Sequence, residues 1–206
     1  MSDAFPPSVV SRGTVLRVDN VDTDVITPIA RVLEGREAVV RFAFEPLRFD
    51  EDGNPRADDP FAHSARESAE ILIAGRNFGC GSSRETAAVA VRGMGFRVVI
   101  AASYGDIFYS NCLKNGVLAV RLPPNVVDRL MAAATAAATI AVDLPAQTVR
   151  CDDIDAGFEI GALQKEMLLS GLDEIGMMLS RSAARSAFVA GDRLARAWVR
   201  DRVRVG

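Results

Sequence analysis

The run Gly75-Arg76-Asn77-Phe78-Gly79-Cys80-Gly81-Ser82-Ser83-Arg84-Glu85 gathers the residues of this chain best suited to chemistry. Its glycines let the backbone turn sharply and come close to a ligand. Ser82 and Ser83 bring hydroxyls. Ser82 and Glu85 stand at capping-box spacing, which predicts that Ser82 opens a helix. A helix start offers unpaired N–H groups and the positive end of the helix dipole. Arg84 adds a planar fork that matches a carboxylate. Together these predict an anion site. Two phosphate cradles do not fit. A P-loop needs a lysine after its second glycine, but Cys80 stands five residues after Gly75 and Ser82 follows Gly81 directly. A dinucleotide fingerprint started at Gly79 ends on Arg84 instead of glycine. No nucleotide cofactor is expected. The plain structural alternative is that the run only ends a strand and caps a helix.

The flanking pattern supplies the elements that must position this turn. Residues 71–74 read as a buried strand, 82–92 as a helix stopped by Gly93 and Gly95, and 97–102 as the next strand. That is a βαβ unit, which predicts parallel strands. A helix is predicted at 106–114, a strand at 117–122, and a helix at 126–138 capped by Asn125. Upstream, 13–18 reads as a short strand, and 29–49 shows no clean period. Residues 50–66, punctuated by Gly53, Asn54, Pro55 and Pro60, read as a loop. Downstream, short strands are expected at 139–142, 148–151 and 157–160, and helices at 163–170 and 174–180. A tail from about 182 to 206 has apolar residues at helical spacing, suited to covering the domain or meeting a partner.

Composition removes several classes of function. The chain has 206 residues, 49% apolar, enough for one good-sized domain. Lys plus Arg total 24 against 27 Asp plus Glu, a net charge of -3, so no nucleic-acid partner is expected. No apolar run reaches the ~20 residues that cross a bilayer. The opening Met1-Ser2-Asp3-Ala4-Phe5-Pro6-Pro7 lacks a basic stretch followed by an apolar one, so no secretory signal is expected. Cys80, Cys112 and Cys151 are odd in number and far apart, which suits a reducing cytoplasm rather than a disulfide framework. The single histidine, His63, cannot form a multi-histidine metal site. It falls in a polar stretch and reads as a surface loop residue rather than a hydrolase base.

Four ordered blocks carry a family resemblance. They are Asn20-Val21-Asp22-Thr23-Asp24-Val25-Ile26-Thr27-Pro28, the run 77–85, residues 98–111 with Asn115-Gly116 following, and Gly171-Leu172-Asp173-Glu174-Ile175-Gly176. In this order the chain resembles the swivelling domain of the aconitase family, in the form of 3-isopropylmalate dehydratase small subunits. The resemblance implies an α/β fold: one swivelling β/β/α domain over 1–206, with a parallel β-core flanked by helices. It implies half of an enzyme, a hydro-lyase that interconverts 2-isopropylmalate and 3-isopropylmalate in leucine biosynthesis. No cofactor or metal is expected on this chain. The iron–sulfur cluster, the Lewis acid for the substrate hydroxyl, is expected on a separate large subunit.

The same resemblance assigns residues. Ser82 matches the family's base. Arg84 matches the arginine that binds substrate and holds that serine, and Ser83 with the N–H groups after it is suited to a carboxylate. Arg36 falls on a second substrate arginine, counting back from Arg48-Phe49. There the family commonly has Arg-Thr-Gly-Phe-Gly, whereas this chain has Arg36-Glu37-Ala38-Val39-Val40. A solvated surface arginine is the other reading. Asp22, Thr23 and Asp24 are expected to frame the site, or to serve only as turn residues. Thr86 stands where the family usually has histidine. Cys80 neighbours the expected base, and a packing role suits it equally. These departures leave open another substituted malate (dimethylmalate, citraconate or a homoaconitate-like acid). A non-catalytic anion-sensing domain is the alternative of another class.

Overall fold

The structure is a computed structural model describing residues 4–62, 69–172 and 174–180. The chain divides into a unit of residues 2–171 and a C-terminal unit from Leu172. In chain order the first unit contains β1 (Ser8–Leu16), α1 (Thr23–Ile26), α2 (Ile29–Glu34), α3 (Arg36–Arg41), α4 (Glu45–Arg48), β2 (Ile71–Ala74), α5 (Thr86–Gly93), β3 (Val98–Ala101), α6 (Asp106–Lys114), β4 (Leu118–Arg121), α7 (Pro124–Thr135), β5 (Thr139–Asp143), β6 (Thr148–Cys151), β7 (Ile154–Gly157) and α8 (Ala162–Ser170). The described part of the second unit is Leu172 and helix α9 (Glu174–Ser180), which exposes Ile175, Met178 and Leu179. His63 and the predicted tail at 182–206 lie outside the described residues.

Seven strands form one mixed sheet in the order β4-β3-β2-β1-β5-β6-β7. The first half is parallel and the second antiparallel. Strand β1 joins the halves. Its Ser8–Arg12 segment pairs antiparallel with β5, and from Gly13 it pairs parallel with β2. The expected parallel core is therefore present, with an antiparallel wing beside it.

The parallel strands read as unbroken apolar runs because both faces are covered. All four residues of β2 and of β3 are buried. Alternate side chains go to opposite sides. Ile71, Ile73, Val98 and Ile100 enter a core with Val127, Leu130 and Met131 of α7. Leu72, Ala74, Val99 and Ala101 enter a second core with α5, α6 and the rings of Phe44, Phe61, Phe78, Phe96 and Phe108. Helix α7 buries Val127, Leu130, Met131 and Ala134, one stripe at helical spacing. Each large apolar side chain so buried contributes about 1.5–3 kcal/mol.

Several boundaries differ from the sequence expectation. Strand β1 begins at Ser8 because β5 pairs with its first half. Helix α7 begins at Pro124, whose fixed φ suits the first helical position, so Asn125 is inside the helix rather than its cap. The last strand of the wing is Ile154–Gly157, since Asp152, at φ +49, turns the chain earlier than predicted. Helix α5 begins at Thr86, not Ser82. That last difference bears directly on the site.

Candidate active site at the ends of the parallel strands

The three loops that leave β1, β2 and β3 at their carboxyl ends are hydrogen-bonded to one another. Asn20 N–H donates to Arg76 O at 2.8 Å, Gly79 N–H to Val21 O at 2.8 Å, and Thr23 N–H to Cys80 O at 2.9 Å. Phe78 N–H donates to Ser103 O at 3.1 Å, and Gly105 N–H to Phe78 O at 3.0 Å. The ladder of the sheet thus continues past its strands and fixes the glycine turn from both sides. This is the crevice end of a parallel sheet, where open α/β folds place ligands.

Glycine is required at two places in the turn. Gly79, at φ +71, lies against Phe108, and Gly81, at φ +95, lies against the carboxylate of Asp22. A Cβ at either would overlap those atoms. Asp22 cannot easily retreat. Its Oδ1 caps the single-turn helix α1 by accepting from Asp24 N–H at 2.6 Å.

Ser82 emerges from this turn half-buried. Its backbone N–H donates to Thr23 Oγ1 at 3.1 Å, and its Oγ lies 2.8 Å from the same oxygen. Thr23 is fully buried. The expected capping box at Ser82 and Glu85 is not formed; Glu85 takes the cap position of α5 without a side-chain cap bond. Ser82 is committed to Thr23 four residues before the helix starts. Its hydroxyl is set by a side chain rather than by the helix terminus.

Arg84 is partly buried. Its Nη1 ion-pairs with Asp24 Oδ1 and lies 3.5 Å from Thr27 O. Its Nε and Nη2 have no partner among the described residues, and neither have the backbone N–H groups of Ser83 and Arg84. These donors belong to the same turn as Ser82. Ser83 is exposed. The structure thus brings Asp22, Thr23, Asp24, Ser82, Ser83 and Arg84 together. It does not link Arg36 to them. Arg36 is exposed at the start of α3 and makes no hydrogen bond or ion pair among the described residues. Thr86 begins α5 with its Oγ1 buried and unpartnered.

The role of Thr23 as the partner of Ser82 is what sequence reasoning missed. The signal was present, since 20–28 and 77–85 are both blocks of one family pattern. Nothing in either block said which hydroxyl meets which.

Among the described residues no group of three or more His, Cys, Asp or Glu side chains could hold a metal ion. The cysteines do not fit an iron–sulfur cluster. Cys112 is wholly buried in the core behind α6, Cys151 is buried on β6, and Cys80 is half-exposed on the glycine turn. Burial pushes the thiols of Cys112 and Cys151 up, disfavouring the thiolates a cluster needs. A cavity of about 720 Å³ lies between β1 and the end of α7, another of about 500 Å³ lies between the loop after β2 and the first turns of α7, and neither is lined by Ser82 or Arg84.

The model of the Aconitase C-terminal domain matches residues 49–125, and that of LeuD_N matches residues 128–162. The "3-isopropylmalate dehydratase small subunit" of Rhodospirillum centenum is 46% identical over 188 residues, covering 89% of this chain and 92% of that protein. The one from Dinoroseobacter shibae is 44% identical over 185 residues, covering 87% and 92%. The chain belongs to the family of 3-isopropylmalate dehydratase small subunits. Its fold is also that of the crystal structure of 3-isopropylmalate dehydratase (leuD) from Methanocaldococcus jannaschii. The TM-score is 0.63 at 24% identity, over 87% of this chain and 98% of that one.

Proposed function

We propose that this chain is the small subunit of a 3-isopropylmalate dehydratase, a hydro-lyase that works with a large subunit in leucine biosynthesis. It interconverts 2-isopropylmalate and 3-isopropylmalate by removing and re-adding water. Family membership supports the reaction. The observation that carries this chain's share is the Ser82 hydroxyl, held by Thr23 on the same turn as donors of Ser83 and Arg84 that have no partner among the described residues.

In the dehydrating direction Ser82 Oγ takes the carbon-bound proton. The C–H pair becomes the new double bond, and hydroxide leaves the neighbouring carbon with its own bonding pair. Ser82 returns the proton when water adds back. Arg84 and the N–H groups of Ser83 and Arg84 receive a carboxylate, and charge-assisted bonds of this kind both orient the substrate and hold it. Arg36 serves a second carboxylate, and its guanidinium, at an exposed helix start and without a partner among the described residues, is available for it. Asp22, Thr23 and Asp24 frame the pocket.

On this reading the iron–sulfur cluster belongs to the large subunit, and no step of this chain's own chemistry runs through it. The turn that carries Ser82, with Gly81 and Ser83 exposed on either side of it, becomes one wall of a site closed by that partner. The free thiols suit a reducing cytoplasm. The departures at 36–40 and at Thr86 favour one second reading, the same chemistry on another substituted malate. An anaerobic assay of the reconstituted complex over a panel of substituted malates separates the two.

The decisive variant is Ser82→Ala in that complex. Loss of a general base lowers kcat by about 10²–10⁴-fold, with KM little changed. Unchanged turnover would remove Ser82 from the reaction.

A further inference from the structure

The geometry points to Thr23 as the positioning residue that stabilises the deprotonated form of Ser82, an inference that rests on the reading of Ser82 as the base. A hydroxyl has one proton and two lone pairs. One lone pair of Thr23 Oγ1 is taken by Ser82 N–H, at 3.1 Å. Its proton has two acceptors within reach. Ser82 Oγ lies at 2.8 Å, the favoured O–H···O distance, while Asp22 Oδ1 lies at 3.5 Å. Asp22 Oδ1 is also already engaged by Asp24 N–H at 2.6 Å. The Thr23 proton therefore goes to Ser82 Oγ, and the proton of Ser82 points away from Thr23.

When Ser82 gives up that proton, the Thr23 bond gains an ionised acceptor and becomes roughly twice as strong. Thr23 is fully buried, so water does not reach the donor end of the bond. It is also immobile. Its N–H is held by Cys80 O at 2.9 Å, and its carbonyl accepts from Thr27 N–H at 2.8 Å. One oxygen thus grips both the backbone and the side chain of Ser82, fixing where the hydroxyl points and how readily it ionises. No helix terminus does this work, because α5 starts four residues later. The charged and titratable groups around the pair are Asp22 and Asp24 on the α1 side, and Cys80 and Arg84 on the glycine turn. The two carboxylates oppose ionisation of Ser82, and the guanidinium, shared with Asp24, favours it only in part. The Thr23 donor offsets that opposition.

The test uses the complex reconstituted with the large subunit, in wild-type, Thr23→Val, Thr23→Ser, Thr23→Cys and Ser82→Ala forms. Thr23→Val removes the hydroxyl and keeps the outline of the side chain. We expect kcat at neutral pH to fall by about 10- to 100-fold, the range set by losing one donor to a developing oxyanion. The acid limb of the kcat–pH profile should move up by about one to two pH units, while KM stays close to wild type. Thr23→Ser should restore the wild-type limb. If Thr23→Val keeps the wild-type kcat and acid limb while Ser82→Ala is inactive, Thr23 is only a packing residue and the proposal is overturned, with Ser82 still the base. If Ser82→Ala turns over normally, the base reading itself fails. Should Thr23→Val not assemble, Thr23→Cys carries the decision. Its thiol is a weak donor, so an intermediate shift of the acid limb supports the proposal, and an unshifted limb sinks it.

Discussion

Two glycines with nearly the same φ give a measurement of how tightly the turn is built. Gly81 has φ +95 and Gly95 has φ +97. An alanine at either pays the steric cost of a left-handed conformation, about 1–2 kcal/mol. Their surroundings differ. A Cβ at position 95 meets nothing within 4 Å, whereas one at 81 overlaps Asp22 Oδ2. Relief requires the carboxylate to leave, and that carboxylate is the cap of α1. Loss of an Asp cap costs about 1 kcal/mol. Gly95→Ala should therefore destabilise the chain by about 1–2 kcal/mol, and Gly81→Ala by about 2–3 kcal/mol. For a chain of this size the larger value lowers Tm by about 4–12 °C. The double variant Asp22→Ala/Gly81→Ala loses the cap only once, so its two effects should fall short of additivity by about 1 kcal/mol, beyond the ~0.5 kcal/mol scatter of independent sites. Denaturant and thermal unfolding of the four variants read this directly. In the reconstituted complex Gly81→Ala should also lower turnover, since Thr23 follows the displaced residue, and Gly95→Ala should not. Equal losses at the two glycines, together with additivity at 22 and 81, would refute the reasoning.

Two further outcomes follow from the surroundings of particular side chains. Arg31 grips Glu45 with two bonds, Nε to Oε2 at 2.8 Å and Nη2 to Oε1 at 2.5 Å, and lies over the Phe42 ring at 4.0 Å. The Arg31 bond holds the Glu45 carboxyl below its ordinary value of 4.5, so its stabilisation is present above that pH and is lost as pH falls through the lowered value. Glu45→Gln should cost about 1 kcal/mol at pH 7 and progressively less on acidification; a Tm difference that stays constant from neutral pH to strong acid would contradict this. Among the cysteines, Cys80 is the accessible one, while Cys112 and Cys151 are buried with their thiols pushed up. Brief iodoacetamide treatment of the native protein should give a single adduct at Cys80, read by intact-mass and peptide analysis, and lower turnover in the complex; equal labelling of Cys112 would show that the core behind α6 opens.

What the sequence made legible was whatever is fixed by short-range pattern. The apolar runs of β2 and β3 and the limits of α6 follow from burial on two faces and from the turn residues that bound them. The region 29–49 was not legible, because it folds as three helices of four to six residues, too short for a period to register. They are broken at Gly35, φ +102, and at Phe44, φ +56. The change of partner along β1 was hidden for another reason. Its Ser8–Arg12 half carries an alternating pattern, but the strand it meets is β5, some 130 residues away in the chain. No local signal records such a pairing.

The misplaced start of α5 is the most instructive difference, because it changes the chemistry expected of Ser82. Serine and glutamate three apart satisfy the rule for a capped helix, and that rule would put the hydroxyl in the field of a helix terminus. The turn obeys a stronger constraint. Gly81 and Asp22 are in contact, Thr23 follows Asp22, and the Thr23 oxygen takes up both polar groups of Ser82 before a helix can form. A dipole acts on whatever lies near it, but a single hydroxyl donor acts along one line. Support of this kind stabilises charge on Ser82 Oγ without attracting anions generally. It leaves Arg84 and the unpaired N–H groups of the turn as the groups suited to receive a carboxylate. On the proposed reading, base and carboxylate receptor are different groups on one loop, coupled through Arg84 only in part. That separation is why the acid limb of the pH profile and KM should respond to different substitutions.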